Sequence, residues 1–134
     1  FGISENFARY LKEVKNIEFI SAIYYAKLYE KYCQSAFEEK KKPKTLFDFT
    51  KKKMESIVVS MSKDMFWIKS VIAFSFYNML HYFAEYLFSC GNFDKNDKEK
   101  MQSDVKELFD LTYKLQKENK HIETEVYEKL PLFD

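Results

Sequence analysis

Turn-forming residues are almost missing from this chain. Its 134 residues include only two glycines and two prolines, which leaves little of the chemistry that builds tight turns and hairpins. A glycine-rich phosphate-binding loop is excluded by that count, because such loops need several glycines close together. Arginine occurs once, as Arg9, and every other formal positive charge is a lysine. Cysteine occurs twice, as Cys33 and Cys90. Two cysteines make no disulfide framework, so a reducing, intracellular compartment is the expectation. No signal-peptide pattern opens the chain, and the lack of an initiator methionine suggests a piece of a longer product.

Net charge is scarce too. The formal value is +1 at pH 7, which argues against a nucleic-acid binder, since those carry a marked basic excess. The charge is nonetheless uneven. Residues 1–93 hold 14 basic and 10 acidic side chains, and residues 94–134 hold 8 and 11.

What the chain has in plenty is aromatic surface, 19% of residues, chiefly 14 Phe and 10 Tyr. The interior breakers fall in two places: Pro43 within Lys40-Lys41-Lys42-Pro43-Lys44, and Gly91 within Ser89-Cys90-Gly91-Asn92-Phe93-Asp94. They cut the chain into three long segments. The expected fold is therefore all-α: one domain of three long helices in an antiparallel bundle, about 4–39, 45–89 and 97–129, alone or within a larger helical assembly. A basic turn at 40–44, a connecting loop at 90–96 and a tail at 130–134 complete it.

Each segment carries helical periodicity. In the first, Ser4 is the candidate N-cap, and Phe7, Leu11, Val14, Ile17, Ile20, Tyr24, Leu28 and Tyr32 recur at spacings of three and four. From Phe19 a second face turns apolar through Ile23, Ala26, Tyr29, Cys33 and Phe37, which predicts burial on more than one side. The second segment, capped by Thr45, would be about 65–70 Å long if unbroken. A kink is expected near Ser60–Asp64. In the third, Asp97 is the candidate cap, and Met101, Val105, Leu108, Thr112, Leu115, Asn119, Ile122 and Val126 form a heptad-like seam.

Residues 65–88 are the most apolar stretch, but their longest run without formal charge is 70–84. A bilayer crossing needs about 20 apolar residues, so burial in a core or subunit interface is the expectation. Three helices cannot cover a central helix that is apolar all round. A protein partner or a second copy is therefore expected against Phe66, Trp67, Val71, Phe74, Tyr77, Phe83 and Leu87, residue types that enrich interface cores.

Candidate chemistry is thin, and no cofactor is expected. Glu118 and His121 have the Glu-x-x-His spacing of di-iron bundles, but such sites need two such pairs and two more glutamates. A helical-bundle metal protein is therefore the weakest reading. A calcium loop starting at Asp94 would place Lys98 at a ligand position and Glu99 where glycine is required. Neither cysteine has a histidine close in sequence, so no nucleophile is identified. One charged feature stands out. Lys40, Lys41, Lys42, Lys44, Lys51, Lys52 and Lys53 gather around Pro43, and such a knot can hold anionic headgroups or an acidic partner. Its bland reading is a solvated turn.

The run Ala26-Lys27-Leu28-Tyr29-Glu30-Lys31-Tyr32-Cys33-Gln34-Ser35-Ala36-Phe37, leading into Lys40-Lys41-Lys42, resembles the end of the first long helix in the F-BAR branch of the BAR superfamily. The resemblance implies a three-helix hairpin that dimerises on anionic membranes. The chain departs from that pattern in bunching its lysines at one turn and in its acidic third segment. The sequence thus favours a non-enzymatic helical scaffold that binds a protein, with a BAR-like peripheral membrane dimer as the alternative.

Overall fold

In this computed structural model, residues 2–38, 49–63 and 69–118 are described. They are all-helical, as expected, but they form five helices where three long ones were anticipated. These are α1 (Gly2–Glu13), α2 (Phe19–Glu38), α3 (Lys51–Lys63), α4 (Lys69–Ser89) and α5 (Lys95–Glu118). Residues 40–44, Thr45 and the last part of the third segment, 119–129, lie outside the described residues, as does the tail 130–134.

The first segment breaks at 14–18, where no glycine or proline marks it. Asn16 takes a left-handed conformation at φ 56°, one of the few non-glycine residues that do so at low cost. The Lys15 N–H reaches back to the Tyr10 carbonyl at 3.3 Å, and the Ile17 N–H to the Leu11 carbonyl at 2.9 Å. These bonds satisfy the last carbonyls of α1 and turn the chain back on itself. Ser4 does not cap α1 but lies inside it. Its hydroxyl donates across to the Ala26 carbonyl of α2 at 3.4 Å.

The other helix ends are built by side chains the sequence supplies locally. Thr50 caps α3, its hydroxyl accepting from the Lys53 N–H at 3.3 Å. After α4, Gly91 at φ 79° lets Asn92 N–H bond to the Leu87 carbonyl (2.9 Å) and Gly91 N–H to that of Phe88 (3.1 Å), the Schellman arrangement. The cap of α5 is Asp94, not Asp97. Its carboxylate accepts from the Asp97 N–H at 2.8 Å, while the Asp97 carboxylate accepts from the Asp94 N–H at 3.3 Å. This is a reciprocal capping box.

Helix α4 is the centre, and it touches all four other helices. Its residues 73–80 are buried throughout. Phe83 is the hub, with ring centroids 4.4 Å from Tyr29, 5.1 Å from Phe7, 5.8 Å from Phe49 and 5.7 Å from Tyr86. On the other side Phe74 meets Phe109 at 4.8 Å. Burying one such ring is worth roughly 2–3 kcal/mol. The described part of the α5 seam, Met101, Val105 and Leu108, is buried as anticipated. Its polar member Thr112 is a hydrogen-bond partner of the Tyr77 hydroxyl, whose pKa burial still pushes up to about 12. Four other helices thus pack around α4. No helix among the described residues is long and apolar enough to cross a membrane.

Candidate protein-interaction surface

Because α1 folds back along α2, the two form an antiparallel hairpin with an outer face. Its register is set by the Ser4–Ala26 contact at one end and by Lys12 over the Phe19 ring, 5.3 Å from its centroid, at the other. Between the helices runs a groove of about 480 Å³. Ser4, Ala8, Ala22 and Ala26 line it with small side chains, and Phe19 and Ile23 with large ones.

The apolar surplus lies here. Val14 is 66% exposed, Phe19 59%, Ile20 80% and Tyr24 41%. Among the described residues seven large hydrophobic side chains are exposed, and these four fall within residues 14–24, Phe19 on the groove itself. The charges of the face are also uncommitted. Glu5, Arg9, Glu13, Lys27 and Glu30 line the groove, and among the described residues none makes an ion pair. Elsewhere Lys51–Glu107, Lys100–Asp104 and Lys106–Asp110 are paired within the chain.

A polar clamp holds the end of α1 in place. Lys15 Nζ lies 2.7 Å from Glu85 Oε2, and His81 Nε2 lies 3.4 Å from Glu85 Oε1. The Gln102 amide donates to the same carboxylate at 3.4 Å and to the His81 carbonyl at 3.2 Å. The His81 imidazole and the Lys15 ammonium hold the Glu85 carboxyl down to about 2, against the opposing push of burial. The clamp joins the end of α1 to α4 and α5. Three neighbours engage its carboxylate and fix the end of α1 against α4 and α5. Among the described residues no three His, Cys, Asp or Glu side chains cluster to hold a metal.

Phe66 and Trp67 lie outside the described residues, as does the Val71 side chain. Phe74, Tyr77, Phe83 and Leu87 are at most 1% exposed, covered by the chain's own helices, and present nothing outward. Of the lysines, 40–42 and 44 lie outside the described residues. Lys51 and Lys52 are exposed on the first turn of α3, and Lys53 is half-buried. Lys51 is hydrogen-bonded to Glu107, which raises its pKa. Periodicity predicts burial for Phe19, Ile20 and Tyr24, which the structure exposes. Asn16 permits the left-handed turn, but no local signal in Lys15-Asn16-Ile17 requires it.

The chain matches no family model, no curated protein and no solved structure.

Proposed function

We propose that this domain is a helical protein-interaction module that docks a helical partner on the outer face of the α1–α2 hairpin. The observation that carries the reading is the concentration of exposed Val14, Phe19, Ile20 and Tyr24 within one short stretch, with Phe19 on a groove whose lining charges Glu5, Arg9, Glu13, Lys27 and Glu30 make no ion pair among the described residues. An amphipathic helix laid into such a groove buries its apolar stripe while its flanks meet the charges. The clamp keeps the site preformed, which lowers the ordering cost of binding. A photo-crosslinking residue at Ile20, in cells that make the protein, should give discrete adducts. The same residue at Ser103, on the exposed side of α5, should give none. Equal background at both positions would sink the reading.

A peripheral membrane role rests on a different observation. Three lysines open α3 with no acid in its first turn, against the positive end of the helix dipole. An anionic surface would offset that conflict. Vesicles containing phosphatidylserine should then pellet the protein, and Lys52→Glu should reduce pelleting. No difference from neutral vesicles rules this role out.

A further inference from the structure

Resting on the docking reading above, we infer that the occupant of the hairpin face is a second copy of this chain, related by a two-fold axis. The face is complementary to itself. Ser4 lies level with Ala26 and Lys12 level with Phe19, so a point near residue 7 of α1 is level with Ile23 of α2. Glu5 and Arg9 lie symmetrically about that level, one helical turn apart and on the same side of the helix.

An axis through it, with helices antiparallel across the interface, brings Arg9 of each copy to Glu5 of the other. The contact occurs twice, as two-fold symmetry requires. The same operation sets Phe19 and Ile20 against Ala26 and the methylene stem of Lys27 of the second copy. Lys27 then gains an apolar surface for its stem and an aromatic face for its charge. Ile23 and Tyr24 meet their own equivalents at the centre. A partner unrelated to this chain would need to reproduce the same sequence of small, apolar and alternately charged positions. A second copy has it already.

The face is small. The 12 residues of α1 run about 18 Å, which puts the contact at the low end of specific interfaces and the dimer near micromolar affinity. Sedimentation velocity on the full chain, from about 1 to about 500 µM, tests this. Wild type should pass from monomer to dimer across that range. Ile20→Glu should remove the dimer. Arg9→Glu and Glu5→Arg each create two like-charge contacts and should each weaken association more than about tenfold. Mixed in equal amounts, those two variants should recover it as a heterodimer, because each Glu then meets an Arg. All three positions are exposed, so circular dichroism should show unchanged helicity.

Three results overturn the second copy: a wild type that stays monomeric throughout, a dimer indifferent to Ile20→Glu and Arg9→Glu, or a mixture that does not recover. A monomeric chain that still crosslinks through Ile20 to another protein keeps the docking face but assigns it a different partner. A chain with no Ile20 adduct loses the docking face as well.

Discussion

Truncating Phe83 to alanine should cost this domain about 4 kcal/mol. Phe→Ala in a packed core costs about 3–5 kcal/mol, from lost transfer energy plus the cavity left behind. Phe83 belongs in the upper half of that range, because its ring is fully buried and touches aromatic rings from α1, α2, α4 and the segment before α3. Domain stabilities of about 5–15 kcal/mol make this about a quarter or more of the total, or a drop in Tm of roughly 10–20 °C. Phe83→Leu keeps most of the volume and should cost about 1–2 kcal/mol. Phe88→Ala, at an exposed ring touched by Lys98 at 4.7 Å, should cost under about 1 kcal/mol. Thermal and urea unfolding should be followed in an Ile20→Glu background, which removes association through the hairpin. There the midpoints should be independent of protein concentration. A Phe83→Ala cost below about 1.5 kcal/mol would refute the hub. Midpoints that rise with concentration would show that a second chain, not α1–α3 and α5, completes the cover of α4.

Three further outcomes follow from the ends of the helices and the clamp. Glu85 has a folded pKa near 2 against an ordinary 4.5, so its contribution is present above about pH 4.5 and is lost as pH falls toward 2. The unfolding free energy of Glu85→Gln in urea should lie below wild type by about 1 kcal/mol at pH 6, discounted for partial exposure, and converge with wild type near pH 2; a constant gap would contradict the clamp. Asp94→Ala removes one half of the capping box and should cost about 1 kcal/mol by thermal unfolding, with Asp94→Asn recovering most of it. Gly91→Ala meets open space, so its cost should be only the left-handed backbone, about 1 kcal/mol; no loss in Tm would contradict the Schellman turn.

The helical class, the α5 seam and the position of the α4–α5 turn were all legible in the sequence, because each rests on local signals: periodicity, a glycine, a pair of aspartates three apart. The number of helices was not. Periodicity at Phe7, Leu11, Val14, Ile17 and Ile20 continues without a break in phase across Asn16, and only the tertiary arrangement decides that the chain turns there. Surplus apolar surface was legible as a quantity but not as a place. The expectation places it at 66–87, where Phe66, Trp67 and the Val71 side chain lie outside the described residues and Phe74, Tyr77, Phe83 and Leu87 are covered by the chain's own helices; the large side chains exposed among the described residues are Val14, Phe19, Ile20, Tyr24, Val59, Phe88 and Leu111. Hydrophobicity along a helix reports how much surface must be covered, and says nothing about which neighbour covers it.

The break at Asn16 explains why Phe19, Ile20 and Tyr24 are exposed. A continuous helix from Ser4 to Glu38 would keep the hydrogen bonds of residues 14–18 and avoid a left-handed residue at Asn16, the second a small saving because asparagine adopts that conformation at low cost. It would also carry Phe7 and Leu11 away from α4. Folded back, both are completely buried, a gain of roughly 4–5 kcal/mol for the pair, and Lys15 reaches Glu85. Packing therefore outweighs helix propensity at this point. The same choice moves α1 to one side of α2 and uncovers the other. Phe19, Ile20 and Tyr24 are thus exposed by the step that completes the core. Straightening the hairpin cannot hide them without releasing Phe7 and Leu11. Among the described residues, then, keeping the core leaves Phe19, Ile20 and Tyr24 exposed.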